Sequence, residues 1–164
     1  SAGRDTGLYD FCIYLGLCFF FLPFCRVVGG GFGVPRPPIH LVRVAGGLRA
    51  RQVDDPARDV TAALIEYAER TAARLDGLIS GYVFKCRSPS CGVTGIAVVN
   101  AQGDSVGTDA GLFAAVITAR LPQLPVVQED ELTNSAQCQN FIERVQAYHR
   151  RHIASIQVRG GSAE

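Results

Sequence analysis

Cysteine is the residue type whose number and positions in this 164-residue chain are best suited to chemistry. Two of the six cysteines, Cys86 and Cys91, lie in the segment KCRSPSCGVTG, together with two serines, a proline and two glycines. A thiolate is both a nucleophile and a soft metal ligand, so this segment could form one wall of a site that uses sulfur. The alternative is an ordinary turn after a buried strand. The other cysteines are Cys12, Cys18, Cys25 and Cys138.

The cysteine pattern favours neither a disulfide framework nor structural zinc. The chain is long for a disulfide-stabilised domain, and no convincing signal peptide precedes it, so we predict a cytoplasmic protein. No CxxC pair is present, although structural zinc sites commonly use one. The apolar stretch FCIYLGLCFFFLPFC is shorter than the about 20 residues that span a bilayer. We therefore predict a buried segment and no membrane partner, and we leave open a homodimer interface.

Composition indicates one folded domain with a hydrophobic core. Hydrophobic residues make up 48% of the chain and charged residues 19%. The formal net charge is only +1, so the chain as a whole has no electrostatic signature of a nucleic-acid-binding protein.

Alternating strand and helix patterns predict a single α/β domain with a largely parallel sheet flanked by helices, in a Rossmann-like three-layer arrangement. The run FFFLPFC predicts a buried strand, and the Gly- and Pro-rich stretch after it predicts a loop in which prolines orient Arg36. The segment IHLVRVAGGLRARQV predicts a hairpin. Helices are expected over residues 59–79, 110–124 and 135–156, with Asp59 or Thr61 as the first N-cap. Further strands are expected at GYVFK, GIAVV and PVVQED.

Ligands bind outside the carboxyl ends of the strands in such a sheet. Cys25 and Cys91 both follow predicted strands, and Cys12 could end a first one. Three thiolates at one edge would suit a soft metal or an iron–sulfur cluster, whereas the alternative is that they are simply buried cysteines without a ligand. Ser88 and Ser90 could donate hydrogen bonds to a substrate. The run GGGFG lacks the GxGxxG order and precedes prolines, which argues against a dinucleotide site.

Five segments together resemble the TudS-like thiouracil desulfurase family, also called domain of unknown function 523. They occur in the order and at the separations typical of that family: FLPFCRVVGGGFGVPRPP, DVT, GYVFKCRSPSCG, GLFAAVITARLPQLPVVQEDEL and NFIERVQAYHRR. The resemblance runs from about residue 21 to about residue 151. We accordingly predict an atypical apolar N-terminal segment over residues 1–20, the TudS-like domain over 21–155 and a flexible tail over 156–164.

The resemblance implies a [4Fe-4S] cluster on three cysteines, with one iron open to the thiocarbonyl sulfur of a thiolated pyrimidine such as 2- or 4-thiouracil. Water then attacks the carbon, and uracil and sulfide are released. Carried over to this chain, Cys25 and Cys91 match the second and third cluster ligands. The first ligand is Cys12, in the segment CIYLG, with Cys18 as its rival. Loop position suggests Ser88, Ser90 and Arg36 as polar groups near the substrate.

Two departures from the family pattern keep an alternative open. The family commonly has Cys-Pro-Glu at the second ligand, whereas this chain has Cys25-Arg26-Val27. The segment between the first two cysteines is also short. The alternative is a degenerate, cluster-free member that binds a small ligand or a protein. Cys86 is close enough to Cys91 to exchange roles with it. Because the chain ends soon after the last resembling helix, we expect a free base or nucleoside as substrate, with thiolated tRNA left open.

Overall fold

The computed structural model describes the backbone of residues 37–160 and the side chains of residues 37–152. The strands are β1 (Ile39–Val44), β2 (Gly47–Gln52), β3 (Tyr82–Phe84), β4 (Ile96–Val99), β5 (Ser105–Asp109) and β6 (Val126–Gln128). The helices are α1 (Thr61–Leu75), α2 (Leu112–Arg120) and α3 (Ser135–Gly160), and a 3-10 turn covers Glu129–Glu131. The three predicted helices and the predicted hairpin are confirmed, and the strand predicted at FFFLPFC lies outside the described residues.

The described strands form a mixed arrangement, so the prediction of a largely parallel sheet is wrong for this part of the chain. Four strands are arranged in the order β2-β1-β4-β5. The β1–β2 and β4–β5 pairs are antiparallel, and only β1–β4 is parallel. The physical reason is that short turns join the strands of each hairpin, whereas a parallel neighbour requires a crossover of a dozen or more residues. The Rossmann-like part of the prediction is not confirmed.

The strands β3 and β6 form a separate parallel pair that lies between two hydrophobic clusters. Tyr82, Phe84 and Val126 pack in a cluster with α1, α2 and the four-stranded sheet. Val83 and Val127 pack in a second cluster with α3, through Phe141 and Ile142. Successive side chains point to opposite faces of a strand, so this short pair contributes to both clusters.

The start of α1 covers the outer edge of β2. The backbone N–H of Ala50 donates to Thr61 Oγ1 at 2.8 Å, and the carbonyl of Ala50 accepts the N–H of Val60 at 2.9 Å. Backbone groups of an edge strand are thereby satisfied within the molecule. The N-cap of α1 is Val60, so the prediction of Asp59 or Thr61 as N-cap is wrong, although Asp59 Oδ1 accepts the N–H of Thr61 at 2.9 Å.

Within residues 37–160, no helix combines the length and the apolar character that crossing a bilayer would require.

Candidate functional site

The loop of residues 85–95, here called the cysteine loop, lies at the edge where β3 and β6 both end. Phe84 and Gln128 are register partners at the carboxyl ends of the two parallel strands. The segments that follow them, the cysteine loop and the 3-10 turn Glu129–Glu131, therefore emerge side by side. In parallel sheets, ligands bind outside the carboxyl ends of the strands, which is the edge occupied here by the cysteine loop.

A tight turn brings the two predicted serines and Cys91 together. The Ser88 carbonyl accepts the N–H groups of Cys91 at 3.0 Å and of Gly92 at 2.8 Å. The Ser88 hydroxyl accepts the N–H of Cys91 at 3.3 Å and lies 3.2 Å from the Ser90 hydroxyl. Ser90 is completely buried, and Cys91 is 5% exposed. The backbone on both sides of the Cys91 thiol is therefore fixed.

The N-terminus of α2 holds the other side of this turn. Phe113 and Ala114 donate their N–H groups to the Ser90 carbonyl at 2.9 and 3.1 Å, and Gly111 donates to the Gly92 carbonyl at 2.8 Å. Unpaired N–H groups at a helix start need such acceptors. A Cβ at Gly111 would lie 2.5–2.8 Å from backbone atoms of Ser90 and Cys91, so this close approach requires glycine.

The first arm of the cysteine loop binds the carboxylate of Glu129. Lys85 forms an ion pair with it, and Cys86 Sγ donates to Glu129 Oε1 at 3.3 Å. Burial raises the pKa of the Cys86 thiol, and the nearby carboxylates of Glu129 and Asp130 raise it as well, although Arg87 partly opposes them. A thiol must lose its proton to bind a metal, and the two carboxylates beside Cys86 disfavour that loss. The pKa of Lys85 is raised by its hydrogen bond to Glu129.

The second arm binds Gln128, the last residue of β6. The N–H of Val93 donates to Gln128 Oε1 at 2.8 Å, and Gln128 is only 8% exposed. Gln128 and Glu129 were not among the predicted site residues. The available signal was their position at the end of the predicted buried strand PVVQED, where side chains reach the ligand edge.

The predicted site residues fall into two groups. Cys91, Ser88 and Ser90 meet in the cysteine loop, whereas Cys12, Cys18, Cys25 and Arg36 lie outside the described residues. Within the described side chains, no group of three or more His, Cys, Asp or Glu residues could hold a metal ion. Cys91 supplies a soft donor on an anchored backbone, which fits one ligand of a thiolate-bound cluster.

The fold and the cysteine loop define a mixed α/β domain with a reactive residue type at the carboxyl ends of parallel strands. The model of the 2-thiouracil desulfurase family matches residues 9–129, and the chain belongs to this family, as its sequence segments predicted. A comparison with curated proteins found no significant match.

A solved structure described as a [4Fe-4S]-dependent thiouracil desulfidase, TudS, is similar to this chain. The two share 26% sequence identity with a TM-score of 0.55, and the match covers 80% of this chain and 82% of TudS. The structural match therefore agrees with the family assignment.

Proposed function

We propose that this protein is an iron–sulfur-dependent desulfurase that converts 2- or 4-thiouracil to uracil and sulfide. The observation that carries the proposal is the match of residues 9–129 to the 2-thiouracil desulfurase family. The reaction is a hydrolysis. A water oxygen bonds to the thiocarbonyl carbon, the C–S bond breaks, and hydrogen sulfide leaves without any net oxidation or reduction.

Cys91, together with Cys12 and Cys25, is proposed to hold the cluster. A [4Fe-4S] cluster on three thiolates supplies one open iron, a soft Lewis acid for the thiocarbonyl sulfur. The Ser90 and Gly92 carbonyls on either side of Cys91 are hydrogen-bonded to the start of α2. This anchoring supports the assignment, because a ligand on a fixed backbone keeps one orientation.

Ser88, Ser90 and Arg36 are proposed to surround the substrate. Ser88 is half-buried, so its hydroxyl can reach a ring bound at the loop surface. Ser90 is completely buried, and its hydroxyl lies 3.2 Å from the Ser88 hydroxyl. We therefore propose that Ser90 orients the Ser88 hydroxyl and does not contact the substrate itself. Arg36 would supply a positive charge that stabilises the negative charge developing on the substrate ring during the reaction.

The proposal is tested by loading the protein and assaying it. The chain is purified without oxygen, reconstituted with iron and sulfide, and analysed for iron, acid-labile sulfide and visible absorption. We expect about four irons and four sulfides per chain and a broad brown absorption. Incubation with 2-thiouracil or 4-thiouracil should then release uracil and sulfide in equal amounts. A loaded protein that releases neither product from either base contradicts the proposed activity.

Two cysteine variants make a matched pair for the ligand assignment. Cys91→Ala should abolish both iron retention and turnover. Cys86→Ala should keep both, because Cys86 is engaged with Glu129. If Cys91→Ala retains its iron and Cys86→Ala loses it, the two residues exchange the roles assigned here.

A second function, that of a cluster-free domain that binds a small ligand or a protein, is favoured by one observation. Cys25 is followed by Arg26 and Val27, whereas the family pattern places Pro and Glu there. The acidic residue of that pattern is therefore missing at this position. A colourless, cooperatively folded protein that takes up no iron on reconstitution would favour this second function.

A further inference from the structure

Two adjacent residues at the end of β6 bind the two arms of the cysteine loop. Glu129 accepts from Lys85 and from Cys86 Sγ, in the arm that enters the loop. Gln128 Oε1 accepts the N–H of Val93, in the arm that leaves it. Both arms are therefore bound to the end of β6 and to the first residue of the 3-10 turn that follows it, and β6 is itself paired with β3.

From this arrangement we propose that Gln128 and Glu129 are positioning residues of the cysteine loop: Gln128 fixes the arm next to Cys91, and Glu129 fixes the arm that contains Cys86. Its consequence for catalysis depends on the function proposed above, whereas the positioning itself is a property of the iron-free chain. Neither residue is assigned a contact with substrate. Each acts through the loop that carries Cys91.

The Gln128 side chain is well placed to act as a fixed support. It shares a reciprocal capping box with Glu131, in which the Gln128 side chain accepts from the backbone of Glu131 and Glu131 Oε1 accepts the N–H of Gln128 at 3.0 Å. Such a pair of hydrogen bonds holds both side chains in one arrangement. Because Gln128 is almost completely buried, Val93 is held against a rigid group.

The conformation of Arg87 provides independent support. Arg87 lies in the entering arm and adopts φ 50°, the only positive φ of a non-glycine residue within the described part of the chain. A residue with a Cβ keeps this unfavourable conformation only where its surroundings impose it. The contacts of Lys85 and Cys86 with Glu129 hold the backbone on one side of Arg87.

The test measures how fast each thiol of the reduced, iron-free full chain is alkylated under native conditions. Iodoacetamide is the probe, and peptide mass spectrometry assigns the product to each cysteine. Digestion with chymotrypsin is preferred, because trypsin would release Cys86 in a two-residue fragment. Fragment ions then separate Cys86 from Cys91.

Each variant removes the side-chain acceptor of one arm. Gln128→Met removes the acceptor for Val93 together with its half of the capping box, and Glu129→Ala removes the acceptor for both Lys85 and Cys86. Gln128→Glu and Glu129→Gln keep an acceptor oxygen in each place and serve as conservative variants. Gln139→Met is the matched control, because Gln139 lies exposed on α3 and its side chain donates to Glu143 of the same helix.

We expect a crossed pattern of rates. In Gln128→Met, Cys91 should be alkylated about tenfold faster, which corresponds to about 1.4 kcal/mol, with a rise of less than about threefold at Cys86. In Glu129→Ala the larger rise should fall on Cys86. Gln128→Glu and Gln139→Met should stay within about threefold of the parent chain at both thiols, and Glu129→Gln should stay within about threefold at Cys91.

The ratio of the two rates separates positioning from general destabilisation. Global unfolding would expose both thiols equally in every variant. Urea unfolding measures independently how much global stability each variant has lost. Equal acceleration of both thiols, or no acceleration of either, overturns the proposal. Loaded Gln128→Met should also lose iron to a chelator faster than the loaded parent. A parent that takes up no iron would refute the proposed function while the alkylation ratio still decides this inference.

Discussion

At the scale of single residues, Gly111 packs closely against the backbone of the cysteine loop. The Gly111 backbone has φ −64°, which any residue can adopt. The constraint is therefore space: a Cβ at this position would lie 2.5 Å from the Ser90 carbonyl carbon and 2.8 Å from the Cys91 nitrogen. Because both obstructing groups are backbone, a rotamer change cannot relieve the contact.

Gly111→Ala should therefore destabilise the protein by about 1–3 kcal/mol, the usual range for overpacking. Urea unfolding followed by circular dichroism measures the change. Gly46→Ala is the matched control, because the nearest atom to its Cβ would be the end of the Arg49 side chain at 3.5 Å. That control should stay within about 0.5 kcal/mol of the parent. Equal losses in the two variants would contradict the proposed backbone clash.

Residue type and spacing located one half of the described site and missed the other. Cys91, Ser88 and Ser90 are close in sequence, so their proximity follows from one short loop. Gln128 and Glu129 reach that loop from 35 and 43 positions away, at Val93 and Cys86 respectively. Such contacts depend on the pairing of β3 with β6, which local patterns do not specify.

At the scale of helices and strands, sequence periodicity predicted where the elements lie better than it predicted which strands pair and in which direction. The hairpin at IHLVRVAGGLRARQV and the helices at α1, α2 and α3 follow from alternation and from helical spacing. Strand order and direction depend on the connections and on packing against the helices. The strand predicted at GIAVV is present as β4, but its antiparallel pairing with the edge strand β5 depends on how the chain packs after the turn between them.

Thr61 joins two of these elements, α1 and β2, and its hydroxyl is the acceptor for a buried backbone group. Thr61→Val keeps the shape of the side chain but leaves the N–H of Ala50 without its acceptor. We expect a loss of about 1–3 kcal/mol in the free energy of unfolding, the cost of a buried unsatisfied donor. Thr108→Val on the exposed face of β5 is the matched control. If both variants unfold at the same urea concentration, the Thr61 hydroxyl does not have this role.

The ion pair between Arg43 and Asp109 links β1 to β5 across β4, at 2.8 Å. The hydrogen bond from Arg43 lowers the pKa of Asp109 below its ordinary value of 3.8. A lowered pKa in the folded state means that the stabilisation is present above about pH 4 and is lost as the pH falls through the folded value.

Asp109→Asn should therefore reduce stability by about 0.5 kcal/mol at neutral pH, since both side chains are largely exposed and water screens the pair. The difference from the parent should shrink as the pH is lowered through 3.8 and vanish below the folded pKa of Asp109. Urea unfolding at a series of pH values measures it. A difference that stays constant down to the lowest pH would assign the effect to packing and not to charge.

At the scale of the whole molecule, the described residues pack into two hydrophobic clusters built from side chains of the chain itself. Cys91 lies inside the larger hydrophobic cluster, next to side chains of α1, α2 and the sheet, and α3 covers a second cluster. Small metal-dependent domains are unfolded without their metal because they lack such a core. A single α/β domain was predictable from composition and from the alternation of patterns, since both reflect how much apolar surface the chain can bury.

The iron-free protein should therefore show the same helix and strand content by circular dichroism as the loaded protein, and it should unfold in one cooperative transition. Loading should raise its melting temperature, because a group that binds only the folded chain stabilises it. Cys91→Ala serves as the control: its spectrum should match that of the iron-free parent, and iron and sulfide should leave its melting temperature unchanged. If removal of iron abolishes the cooperative transition, the packed clusters are insufficient and the cluster is part of the fold. If the parent and Cys91→Ala respond equally to iron, the stabilising group is held without Cys91.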